Sequence, residues 1–182
     1  MERREGLLLI GGASRNVGKT TLICKIIEHF SKNHSVVGLK IKSIYDGDSY
    51  FHGKESKKFF DKYLLTEESE SESNDDTHKM LKAGAHKAFL LRTKSEFLSE
   101  AFLYFVTKIN DKDLIICESN SLRRFYEPDI YLFIKDKNGA NMKPSAQQLE
   151  IYADRIIFSD GIKHDFDVNE LQIENAEWKL VK

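Results

Sequence analysis

The feature that most limits how this chain can fold lies near its start. The apolar run Leu7-Leu8-Leu9-Ile10 is followed by Gly11-Gly12-Ala13-Ser14-Arg15-Asn16-Val17-Gly18-Lys19-Thr20-Thr21. A short, fully apolar run bounded by glycines reads as a strand covered on both faces. Beyond the turn, Leu22, Ile23, Ile26, Ile27 and Phe30 recur at helical spacing, which predicts a helix from Lys19 to Ser31. A strand that passes through a tight turn straight into a helix is half of a β-α-β unit. It commits the chain to an α/β fold with a mostly parallel sheet.

The turn itself carries chemistry. The spacing G-x-x-x-x-G-K-[ST] ends on Gly18-Lys19-Thr20, with Ala13 standing where the first glycine would be. In such a turn successive N–H groups form an anion nest, and the helix N-terminus adds positive potential. Lys19 is the expected catalytic cation, neutralising β- and γ-phosphate oxygens, and the Thr20 hydroxyl the expected Mg²⁺ ligand. The expected nucleotide-contacting residues are Ala13, Ser14, Arg15, Asn16, Val17, Gly18, Lys19, Thr20 and Thr21, with Lys40 from the next strand. Alanine is tolerated at the first position where the turn does not demand positive φ, Gly12 supplying freedom one residue earlier. The alternative is a glycine turn that only caps a helix.

Composition narrows the class. With 182 residues the chain suits a single α/β domain, and a net charge of −1 argues against a general nucleic-acid or membrane-surface binder. Met1-Glu2-Arg3-Arg4-Glu5 leads directly into a strand, unlike a signal peptide, so a cytoplasmic location is expected. Cys24 and Cys117 sit within apolar patterns and read as core residues in a reducing compartment.

Strands are predicted at Leu7–Gly11, Val36–Ile41, Ala88–Leu91, Leu114–Cys117, Ile130–Ile134 and Arg155–Phe158. Helices are predicted from Glu96 to Ile109 and from Pro144 through Tyr152, proline favouring a first helical turn. The tail from Ile162 to Lys182 supports either a helix or a hairpin. An insertion at about 45–76 breaks the alternation; it ends in the acidic run Thr66 to Asp76, which reads as a mobile loop or a lid. Phe59, Phe60, Tyr63 and Leu64 before it suggest a short docking helix.

Acids at strand ends supply the remaining candidates. Glu118 closes the strand Asp113-Leu114-Ile115-Ile116-Cys117-Glu118 and is placed to hold a magnesium shell or orient water; Asp113 enters from the other end and reads as structural. Asp76 opens the helical segment Asp76 to Ala85 and either caps it, as Thr77 would, or faces the metal. The expected metal set is therefore Thr20, Glu118 and Asp76, and Glu118 joins Lys19 as the expected catalytic pair. Lys42, Asp46 and Asp48 follow Lys40 near the same crevice. Arg123 and Arg124 would suit a second phosphate or a partner's acid.

These pieces, in this order, resemble the molybdopterin-guanine dinucleotide biosynthesis protein B family of the P-loop GTPase class. The likeness runs from about Leu7 to Gly161. It rests on Gly12 to Leu22, Val37-Gly38-Leu39-Lys40-Ile41-Lys42, Asp76-Thr77-His78-Lys79-Met80-Leu81-Lys82-Ala83-Gly84-Ala85 and Leu114 to Glu118. It implies a three-layer P-loop NTPase fold, a sheet of about six or seven strands with helices on both faces. It also implies GTP and Mg²⁺ as ligands, weak hydrolysis, a homodimer, and a protein partner in molybdenum cofactor biosynthesis. The chain departs from the family pattern in three places. Ser43-Ile44-Tyr45 replaces histidines, a Ser/Glu run replaces a Pro-Gly loop, and Ser119 replaces the glycine after the strand acid. Lys135-Asp136 and Ser159-Asp160 are the candidate base contacts in the absence of Asn-Lys-x-Asp. The turn Asn16-Val17-Gly18-Lys19-Thr20 also resembles dethiobiotin synthetase, which implies an ATP-dependent small-molecule kinase or ligase as the alternative. A nucleotide-gated binding module is a third reading.

Overall fold

Alternation of buried residues along the first strand dictates the layers. In β1 (Glu2–Gly12), Leu7 and Leu9 face one side and Leu8 and Ile10 the other, and all four are fully buried. A strand apolar on both faces must lie inside a sheet covered on both sides. The computed structural model describes residues 1–44, 61–69, 74–139, 142 and 144–181.

After β1 come α1 (Lys19–Phe30), β2 (Val36–Ile44), β3 (Tyr63–Glu67), α2 (Asp76–Lys82), β4 (Lys87–Lys94) and α3 (Leu98–Val106). Then follow β5 (Leu114–Glu118), β6 (Tyr126–Asp136), α4 (Pro144–Glu150), β7 (Arg155–Ser159), β8 (Leu171–Glu174) and β9 (Glu177–Leu180). Seven strands form one sheet in the order β3-β4-β2-β5-β1-β6-β7, and β8 and β9 pair separately. Only β3 runs antiparallel to its neighbour in the large sheet. This is the mixed α/β architecture with a mostly parallel sheet that the alternation predicts.

Phe102 and Phe105 of α3, with Leu149 of α4, pack on Leu9, Leu39, Phe89 and Cys117. On the opposite face Ile23, Ile26 and Ile27 of α1 and Met80 of α2 pack on Ile10, Ile116 and Ile134. Truncating any one of the fully buried leucines to alanine costs about 2–5 kcal/mol, because the cavity collapses only in part. Cys117 is buried, Cys24 is half-buried, and both are free thiols.

Two expectations change. Tyr63 and Leu64 lie in an edge strand, not a helix: Tyr63 and Leu65 alternate onto the α3 side and pair with Thr93 and Leu91 of β4. Cross-strand pairing to β4 fixes the period at two and overrides the local helical spacing. Phe59 and Phe60 lie outside the described residues, as do most of the insertion's remaining positions, Asp46 and Asp48 included. The tail resolves as a hairpin. Asn175 and Ala176 both take positive φ (53° and 64°), the twist a two-residue type I′ turn requires. The connection from β5 to β6 holds a 3-10 turn (Ser121–Arg124) where a helix would be usual, and it carries Asn120 over the end of β1. No described helix is long and apolar enough to cross a membrane.

Candidate functional site

The carboxyl ends of β1, β2 and β5 meet around residues 11–20, and close backbone approach explains the glycines there. Asn120 clamps Gly12 from both sides: Gly12 N–H donates to Asn120 Oδ1 (2.8 Å) and Asn120 Nδ2 donates to Gly12 O (2.9 Å). A Cβ on Gly11 would meet Asn120 Oδ1 at 2.6 Å, so the glycines are required one and two residues before Ala13. Ala13 keeps a negative φ, its N–H bonds Ile134 O (2.8 Å), and its methyl is buried. The missing first glycine is thus a shift of the close approach, not a broken turn.

The turn closes on two left-handed residues, Asn16 (φ 61°) and Gly18 (φ 85°), and Gly18 caps α1. Arg15 and Asn16 form a tight turn, and among the described residues no backbone acceptor is found for the N–H of Ser14, Arg15, Asn16 or Gly18. Arg15 and Asn16 are exposed, Ser14 is half-buried, and Val17 anchors the loop by burying its side chain against α1. Lys19 Nζ reaches back to Ser14 O (2.8 Å), so its ammonium lies across the mouth of the loop. Thr21 is exposed on α1.

Below the loop, strand register sets the charges. Lys40 of β2 lies directly opposite Glu118 of β5, and Lys40 Nζ is 3.2 Å from Glu118 Oε1. The other Glu118 oxygen accepts from the Thr20 hydroxyl (3.1 Å). Asp76 reaches the same ammonium from α2, forming an ion pair with Lys40. Gly38 makes that approach possible, since a Cβ there would meet Met80 Sδ at 2.8 Å and push α2 off the sheet. The helix cap is Asp75, and Asp76 is the first helical residue, its carboxylate turned to the sheet.

Burial alone would push the Lys40 ammonium down, but the Glu118 charge and the Asp76 hydrogen bond outweigh it and hold it above the ordinary lysine value. Burial would likewise raise Asp76; Lys40, with help from Lys79 and Thr20, instead keeps its carboxyl below the usual range. Lys42 is pushed down by burial and by its cationic neighbours Lys40 and Arg92.

The structure therefore brings Thr20, Lys40, Asp76, Glu118 and Lys19 to one end of the sheet. Other candidates have local work. Lys135 pairs with Glu150 (2.8 Å), Asp136 accepts from Asn138 N–H (2.6 Å), and Asp160 accepts from the amides of Ile162 and Lys163. Arg123 is buried, its guanidinium over the rings of Tyr152 (4.9 Å) and Tyr131 (5.9 Å), while Arg124 is exposed. Asp113 accepts from the Ser35 hydroxyl (2.6 Å) and Asn110 N–H (2.9 Å), the structural part its position predicts.

Two residues escaped the sequence reading. Asn120 is one, and His164 is the other: His164 Nε2 lies 3.0 Å from Gly18 O, tying the loop after β7 to the turn. Burial pushes the His164 imidazole down, so it is held neutral. The pair Gly18 and His164 is 146 residues apart, and no local spacing signals it.

No known protein family, curated protein or solved structure matches this chain.

Proposed function

We propose that this chain binds a Mg²⁺–nucleoside triphosphate, with GTP as the favoured nucleotide, in the loop between β1 and α1. The observation that carries the reading is the meeting of two things at one place. A turn in which the amides of Ser14, Arg15, Asn16 and Gly18 lack backbone acceptors lies beside a hydroxyl and two carboxylates. Unclaimed amides at a helix N-terminus suit phosphoryl oxygens, and Lys19 lies across the same mouth. Thr20, Glu118 and Asp76 are hard oxygen donors of the kind magnesium takes. Magnesium usually takes one or two carboxylates and completes its shell with phosphates and water. Bound there, the ion would neutralise charge developing on the phosphoryl oxygens.

Glu118 is the candidate for orienting water; in the nucleotide-free protein its oxygens are engaged by Thr20 and Lys40. Weak hydrolysis is what the sequence resemblance implies. The preference for GTP and a place in molybdenum cofactor guanylylation, with a protein partner and a homodimer, rest on the sequence resemblance alone. An ATP-dependent kinase or ligase is the second reading. It is favoured by the cations Lys40, Lys42 and Arg92 on one face of the crevice, which suit an anionic acceptor. Calorimetric titration of GTP against ATP with Mg²⁺ decides between them. Tighter GTP binding supports the first reading, tighter ATP binding the second, and binding of neither removes both.

A further inference from the structure

Lys40 occupies a position that neither phosphate binding nor packing explains. Its side chain is only 16% exposed, and its ammonium spends its hydrogen bonds on Asp76 and Glu118, two of the three proposed magnesium ligands. The third, Thr20, holds the remaining oxygen of Glu118. Each residue of the proposed metal set is thus held by another side chain.

We infer that Lys40 is a resident counter-ion. It holds Asp76 and Glu118 together in the nucleotide-free protein and yields them to a divalent cation that arrives with the triphosphate. The arrival step rests on the function proposed above; the counter-ion role does not.

Two carboxylates brought together at the partly buried carboxyl ends of the central strands repel, and the ammonium offsets that repulsion. Magnesium demands oxygen ligands at about 2.0–2.1 Å in near-octahedral geometry, so an ammonium cannot share the same lone pairs with it. Free magnesium also dehydrates reluctantly. Against a lysine already in place, the ion alone gains too little, whereas a triphosphate adds further oxygen ligands and negative charge. Lys40 then turns along its flexible stem toward the phosphates, where the strand ends converge. Backbone groups could not make this exchange, because they move only with the sheet.

The test measures Mn²⁺ binding to nucleotide-free protein by electron paramagnetic resonance. Lys40→Met and Lys40→Gln, each checked for native circular dichroism, should bind Mn²⁺ about tenfold or more tightly than wild type. Adding Glu118→Gln to Lys40→Met should abolish the gain. Folded Lys40 variants that bind Mn²⁺ within about twofold of wild type would overturn the inference. Should both variants fail to fold, ¹H–¹⁵N spectra of lysine ammonium groups in wild type provide the second readout. A protected ammonium signal should change its shift only when Mg²⁺ and a non-hydrolysable triphosphate are present together, and a signal unchanged with both overturns the exchange. Failure of wild type to bind either GTP or ATP would sink the proposed function and the arrival step, while tighter Mn²⁺ binding by Lys40→Met would still support the counter-ion.

Discussion

Toward one end of β1 the Asp129 side chain is buried; at the other end Glu118 is buried and Asp76 half-buried. The two places handle the same problem differently. Asp129 Oδ2 accepts from Gly6 N–H (2.8 Å) at a bulge in β1 and from Trp178 N–H (3.1 Å) in the terminal hairpin. Trp178 Nε1 donates back to Gly6 O (3.2 Å), and its ring meets Phe30 edge-on at 5.0 Å. Glu118 and Asp76 instead meet an ammonium and a hydroxyl. A buried carboxylate must be partnered in either case. Backbone amides cannot leave without taking an element with them, so Asp129 fastens a hairpin. Side-chain partners can turn away, so the acids near Thr20 stay open to exchange.

The largest effect should come from the fastened end. Asp129→Ala leaves two amides without their acceptor and is expected to cost roughly 2–4 kcal/mol, lowering Tm by roughly 5–15 °C, with nucleotide affinity unchanged. Thermal melting beside a titration checks both halves. Lys19→Ala should do the reverse: affinity for Mg²⁺–triphosphate falls on the order of 10- to 100-fold while Tm moves little. Equal nucleotide binding by that variant would return the loop to a plain helix cap.

Glu118→Gln sharpens the contrast within the open end. The amide preserves the shape but not the charge, so hydrolysis should slow by about tenfold or more while binding changes less. Single-turnover kinetics beside equilibrium binding separates the two, and unchanged turnover would leave Glu118 only a neighbour of Thr20.

What could be read in the sequence follows the same division. The β1–turn–α1 unit was legible because period and glycine placement are local, and so were the buried strands β2, β4 and β5. The edge strand β3 was not: Tyr63 and Leu65 make a two-residue alternation too short to stand out after Phe59 and Phe60. The terminal hairpin stayed ambiguous because Asn175-Ala176 replaces the Asn-Gly that normally announces such a turn. At the candidate site, Thr20, Glu118 and Asp76 were named from motif position. Their union through Lys40 depends on the Lys40–Glu118 register and on Gly38 admitting Met80, which only the assembled sheet provides. Asn120 and His164 act on backbone atoms of distant residues, and composition gives no sign of either.

The smallest expected effect is a difference in pH response, measured without divalent ions. Burial pushes the Asp129 carboxyl above its ordinary value of 3.8, its two amides only partly opposing the shift. Asp76 is held below 3.8, since Lys40 and Lys79 outweigh its burial. An acid with a raised value in the folded chain takes up a proton there before it would in the unfolded chain. Its share of stability therefore rises as pH falls through that raised value and levels off below 3.8. A depressed acid behaves oppositely. Asp76 contributes its stability above 3.8 and loses it as pH falls through its lower folded value. Melting curves from about pH 7 to 3 should show Asp129→Asn losing the gain on first acidification, while Asp76→Asn softens the fall at the acid end. If Asp129→Asn instead tracks wild type throughout, the amides keep Asp129 as readily ionised as a free aspartate. The two ends of β1 would then differ in the mobility of their partners and not in charge.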